Sequence, residues 1–156
     1  MSSMHGSVEL LGGMAFRATT DSGHELMLDA APEHGGADRG PRPMELLLVG
    51  LAGCTAMDVI GILRKMRQDV TGYTVRVEAQ RAEEHPKVLT AITVEHVLRG
   101  RRLSAEAVRK AVELSVSRYC AVGAMLQQAA PIEERYRIED ETTGAVIART
   151  LTLNAA

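Results

Sequence analysis

The stretch Leu46-Leu47-Leu48-Val49-Gly50-Leu51-Ala52-Gly53-Cys54-Thr55-Ala56-Met57-Asp58 decides how the rest of this chain is read. It is apolar nearly all round a helix, and it is bracketed by Glu45 and Asp58. A bilayer span needs about 20 apolar residues. This run is shorter, so it reads as a helix buried in protein and not in a membrane. Pro43 suits the first helical turn, and Glu45 complements the positive end of the helix dipole. Arg64-Lys65-Met66-Arg67-Gln68 is its solvated end, with cations where the dipole favours them. The pattern predicts one long helix over 43–68.

Upstream, residues 7–11, 14–19 and 25–29 read as short strands joined by Gly12-Gly13 and by Asp21-Ser22-Gly23, both turn signals. Residues 31–43 carry Gly and Pro without apolar period and read as a mobile loop. Downstream, 73–79 and 89–98 alternate with period two, and the polar 82–87 connects them as a hairpin with one solvated face. Ser104 is a good N-cap for a helix over 105–119, which has Val108, Ala111, Val112, Ser115 and Val116 at helical spacing. A second short helix covers 120–129 until Pro131 stops it. Residues 132–138 then read as a strand, and 144–153 as a further strand or tail. The fold class is α+β, with helices packed on a mostly antiparallel sheet.

The chain has 156 residues, enough for one ordinary domain spanning 1–156, with 46% apolar and 24% charged residues. A formal net charge of −2 and 3% aromatics argue against a nucleic-acid surface. The first residues lack the basic start and apolar core of a secretory leader, which favours the cytoplasm. Neither Cys-x-x-Cys nor ligand spacing among His5, His24, His34, His85 and His96 supports a metal, and nothing calls for a cofactor. The histidines read as surface or strand residues.

The second small-residue segment, Ser117-Arg118-Tyr119-Cys120-Ala121-Val122-Gly123-Ala124-Met125-Leu126, carries the other cysteine. Two thiols on packed helices can act as attacking and resolving sulfurs if their Cα atoms come within about 4.4–6.8 Å. Ordinary helix axes lie about 8–10 Å apart. Gly50, Gly53 and Ala56 on one segment, and Ala121, Gly123 and Ala124 on the other, would allow a closer approach. In a reducing cytoplasm a transient disulfide is favoured over a permanent one. The residues alone leave a second reading open, in which both cysteines are small buried hydrophobes.

The order of elements, with Pro-x-Glu and Cys54 on a long buried helix and Tyr119-Cys120 opening a small-residue helix, resembles the osmotically inducible protein C / organic hydroperoxide resistance family. The resemblance runs from about residue 16 to about 138 and leaves 139–156 as an extra C-terminal strand or tail. Its sharpest segments are 43–54, 58–70 and 111–120. They look closest to an uncharacterised cytoplasmic branch whose first helix ends in a Lys-x-Arg-Gln-Asp-Val element. The resemblance implies an OsmC-like fold in an intertwined homodimer, with long central helices and two thiol sites at the interface. A partner chain would supply the cover that the 46–57 helix needs.

The resemblance also implies a chemistry. Cys54 would be the peroxidatic thiolate attacking an organic hydroperoxide, Cys120 the resolving thiol, and an external dithiol the reductant. In the family a Glu ten residues before the first cysteine holds an activating Arg. Here Met44 stands at that place and Glu45 lies nine before Cys54, a turn of about 100° on a helix. Glu45 is the candidate acid, and Arg39 and Arg42 are the preferred candidate cations, with Arg17 a third. Met44, Leu47, Leu48 and Met125 would form an apolar mouth suited to alkyl peroxides. The competing reading on the same scaffold is a non-enzymatic dimer that senses redox state or binds an apolar small molecule, favoured by Met44 in the Glu position.

Overall fold

A computed structural model describes residues 1–152 of the chain. The end of the tail expected over 144–153 therefore lies outside the described residues. The chain divides into two compact units, Met1–Leu47 and Leu48 onward.

In the first unit β1 (Gly6–Gly12), β2 (Ala15–Thr20) and β3 (Glu25–Leu28) form an antiparallel sheet in that order. The two turns fall where Gly12-Gly13 and Asp21-Ser22-Gly23 predict them. The loop that follows is tied down, against the expectation that it is mobile. Buried Asp29 accepts backbone N–H groups from Ala30, Ala37 and Arg39, and these hold its carboxylate below the usual range, the Arg39 N–H contributing most. Glycine is required where the loop closes on its own backbone. A Cβ at Gly36 would lie 1.8 Å from the Ala30 carbonyl oxygen, and one at Gly40 2.3 Å from that of Met27.

α1 (Pro43–Lys65) begins at the end of the first unit and runs into the second. The capping is as its sequence dictates: the Arg42 N–H donates to Glu45 Oε2 at 2.9 Å, half of a capping box. Only one stripe of the helix, Leu51, Thr55, Val59 and Leu63, is buried. Within a single chain the rest of this nearly all-round apolar helix is left uncovered. Met57 is 77% and Val49 64% exposed. By length and composition α1 as a whole could cross a bilayer, and only 22% of its most apolar window is buried; the shorter apolar run had argued against this.

The second unit packs α1 and α2 (Ala105–Leu114) with a four-stranded sheet of β4 (Asp69–Arg81), β5 (Leu89–Arg101), β6 (Ile132–Asp140) and β7 (Val146–Thr150). β4/β5 and β6/β7 pair antiparallel, whereas β5/β6 are parallel. A parallel pair needs a long crossover. The helices between residues 101 and 132 provide it. Along β5 the alternation puts Ile92, Val94, His96 and Leu98 on the buried face. The core joins Val59 and Leu63 to Leu98, Val108, Ala111, Val112 and Ile138. Leu63→Ala would leave a cavity in that cluster, and a loss of about 2–5 kcal/mol is expected by denaturant titration.

Ser104 caps α2, accepting the Ala107 N–H at 3.2 Å. The helix expected to continue to Tyr119 instead widens into a π-helical turn over Ser115–Tyr119. Such turns re-aim side chains and are frequent at functional sites. The chain then leaves helical geometry at Cys120, which is the N-cap of α3 (Ala121–Leu126).

Candidate active site

Both cysteines lie in the second unit. Cys54 is on α1 beside the buried Leu51 and Thr55, and Cys120 is buried at the start of α3. The sulfurs are free, and Cys54 Sγ, Cys120 Sγ and an Asp58 carboxylate oxygen all lie within 4.8 Å of one another. Asp58 is four residues after Cys54, so helical geometry puts both on one face. The site is thus two thiols and one carboxylate.

The three groups are held from behind. Ser115, wholly buried on the π turn, donates its hydroxyl to Asp58 Oδ2 at 3.0 Å. Thr55, also buried, reaches Ser115 Oγ at 2.8 Å. Since Ser115 has given its proton to Asp58, Thr55 is the donor in that contact. Cys120 Sγ accepts the Gly123 N–H at 3.3 Å. A Cβ at Gly123 would stand 3.2 Å from that sulfur. Burial pushes the Cys120 thiol up to about 12, against the Gly123 N–H, with Cys54 and Asp58 adding to the rise.

A second buried chain runs beside the first. Tyr73 Oη meets His96 Nδ1 at 2.6 Å, and His96 Nε2 meets Glu134 Oε2 at 3.1 Å. One ring tautomer, donating from Nε2 to Glu134 and accepting at Nδ1 from the Tyr73 hydroxyl, satisfies both contacts. Burial, and then the charges of Glu134 and Asp58, raise the Tyr73 hydroxyl and keep it a donor. Glu134 and Cys120 share a cavity of about 60 Å³ whose apolar walls are Leu51, Val116 and Ile132.

A sequence profile described as OsmC-like protein matches residues 35–135. The chain belongs to the OsmC-like family. The curated protein YhfA of Escherichia coli strain K12 is 37% identical over 135 residues, 86% of this chain and 98% of its own. Among solved structures, a hypothetical protein from Aquifex aeolicus VF5 is 30% identical with TM-score 0.79, covering 90% of this chain and 99% of its own. An organic hydroperoxide resistance protein from Elizabethkingia anophelis has TM-score 0.63 over 90% of this chain and 98% of its own, and at 14% identity shows the fold alone.

Within this OsmC-like chain the structure brings Cys54 and Cys120 together, and of the glycines expected to allow it only Gly123 makes a close contact, beside Cys120 and Leu51. A Cβ at Gly50 or Gly53 would meet nothing within 4 Å. The expected apolar mouth also differs: the cavity is walled by Leu51, Val116 and Ile132, whereas Met125 is 66% exposed. In the first unit Glu45 caps α1 through the Arg42 N–H. The candidate arginines are engaged there too, Arg42 with Asp38 and the Gly40 carbonyl, Arg39 with Asp29, and Arg17 with Glu9. His96, among the histidines read as surface or strand residues, lies on β5 and is fully buried. Thr55, His96 and Glu134 were not singled out by the sequence; the parity of Val94, His96 and Leu98 in an alternating strand was the available signal for His96.

Proposed function

We propose that the chain is a two-thiol reductase of organic hydroperoxides, acting from a homodimer in a reducing cytoplasm. The observation that carries this reading is the meeting of two unjoined sulfurs within 4.8 Å on a family scaffold. Cys54, the less buried thiol, attacks the peroxide as thiolate. The O–O bond breaks, the alcohol leaves with a proton, and Cys54 becomes a sulfenic acid. Cys120 then attacks the Cys54 sulfur, and its proton departs with the hydroxide as water. An external dithiol reduces the disulfide by exchange. Two thiols and one peroxide thus give a disulfide, an alcohol and water.

Leu51, Val116 and Ile132 beside Cys120 favour an alkyl or lipid-like peroxide over hydrogen peroxide. Free-thiol loss is therefore expected to be faster with an alkyl hydroperoxide than with hydrogen peroxide. Equal loss with both would remove the organic-substrate assignment, and loss with neither the reductase reading. Asp58 favours the second reading, a redox sensor without efficient turnover, because a carboxylate beside a thiol opposes its ionisation.

The dimer is supported by the uncovered faces of α1. Met57 and Ile60, with Val70 and Tyr73, line an open groove of about 360 Å³. Sedimentation at nanomolar concentration is expected to give a dimer. A monomer with native circular dichroism would contradict an obligate interface.

A further inference from the structure

Cys54, Asp58 and Cys120 are three potential anions within 4.8 Å of one another, and no ion pair among the described residues includes Asp58. Such a group needs protons or a cation to offset its charge. Its donor set selects the cation. Two sulfurs exclude the hard ions magnesium and calcium, and two thiolates with a carboxylate suit zinc(II). In a tetrahedral zinc site with Zn–S of about 2.3 Å the sulfurs stand about 3.7 Å apart. The sulfurs lie within 4.8 Å of each other, at most about 1 Å beyond that spacing, a distance that side-chain rotation covers.

The surroundings match what metal ligands require. Asp58 is oriented by Ser115, and Ser115 in turn by Thr55, both hydroxyls being buried. The Gly123 N–H already points at the Cys120 sulfur. Contacts of this kind fix ligands and tune a bound metal. The cavity of about 60 Å³ on Cys120 exceeds the space one water needs.

We propose that the reduced chain binds one thiophilic divalent cation, zinc(II) above all, through Cys54 Sγ, Cys120 Sγ and the Asp58 carboxylate, with a fourth position open to water. Binding exchanges two thiol protons for the ion, and no electron moves. It does not rest on the peroxide chemistry, although the same sulfurs serve both. Oxidation to the disulfide by a hydroperoxide would remove two ligands and release the ion, which gives the site a redox-linked metal output.

The test uses reduced, metal-free chain without peroxide. Cobalt(II) is titrated in, and a thiolate-to-cobalt charge-transfer absorption is expected to saturate at one ion per chain and to vanish when zinc(II) is added. Cys54→Ser and Cys120→Ser should each lose the band. Asp58→Asn should weaken zinc binding by at least about tenfold, and Ser115→Ala, which touches no ion, by about 10–100-fold. Each variant is compared by circular dichroism. Should a thiol variant not fold, zinc protection of both thiols of the wild-type chain from alkylation carries the same information. Absence of the band, or Asp58→Asn with wild-type zinc affinity and native circular dichroism, would overturn the proposal. A chain that binds zinc but consumes no peroxide would sink only the reductase reading.

Discussion

Cys54→Ser is expected to abolish consumption of an alkyl hydroperoxide, whereas Cys120→Ser should consume about one equivalent and stop at a trappable sulfenic acid. The asymmetry follows from position. Cys54 is the more accessible of the two sulfurs, while Cys120 is buried against the Gly123 N–H and shares the small cavity with Glu134. Removing the attacking sulfur leaves no nucleophile; removing the resolving one deletes only the condensation step. The measurement is peroxide consumed per subunit, with a dimedone-type reagent to trap the acid. Equal loss of the first turnover in both variants would reverse or erase the assignment.

The second large effect concerns Cys120 itself. Its thiol is pushed up to about 12, chiefly by burial, against an ordinary value of about 8.5. At neutral pH its thiolate fraction falls accordingly, and only the thiolate alkylates. Native Cys120 should therefore react with iodoacetamide on the order of 10³-fold more slowly than in the chain unfolded by denaturant. The same shift couples to stability. Folding favours the protonated thiol, so its contribution is complete below about pH 8.5 and is lost as the pH rises toward about 12. Denaturation midpoints should fall over that window in the wild type and fall less in Cys120→Ser. Comparable alkylation rates in the native and unfolded chain would contradict this account of burial.

Local patterns made most of the fold legible. Two glycine-bearing turns located β1 to β3, the alternation over 89–98 located β5, and Ser104 located the start of α2. Each is a short-range signal with a physical cause. The parallel pairing of β5 with β6 and the π turn at Ser115–Tyr119 were not legible, because both depend on what the sheet and α1 do at long range. The candidate site divides in the same way. Cys54 and Cys120 were found as the only thiols in the chain. Asp58 lies one turn from Cys54, but its meeting with Cys120 and Ser115 could not be read from spacing. Ser115 looked like one more position on a helix face. Its role arises because the π turn aims its hydroxyl at Asp58, 57 residues away in sequence.

Gly50 and Gly53 carry the opposite lesson. Small residues near a cysteine suggested close packing, yet both glycines face open space within the chain. A motif can mark an exposed surface as readily as a contact. Together with Met57, these positions leave α1 incompletely covered, which is the observation behind the proposed dimer.

The central claim is that Cys54 and Cys120 work as one redox pair, and peptide mapping after a single equivalent of alkyl hydroperoxide tests it most directly. The account predicts a chain lighter by two hydrogens, with one peptide pair linking Cys54 to Cys120 and restored by a dithiol. Two alkylatable thiols remaining after the peroxide is consumed, or a disulfide joining Cys54 to Cys54 of another chain, would contradict it.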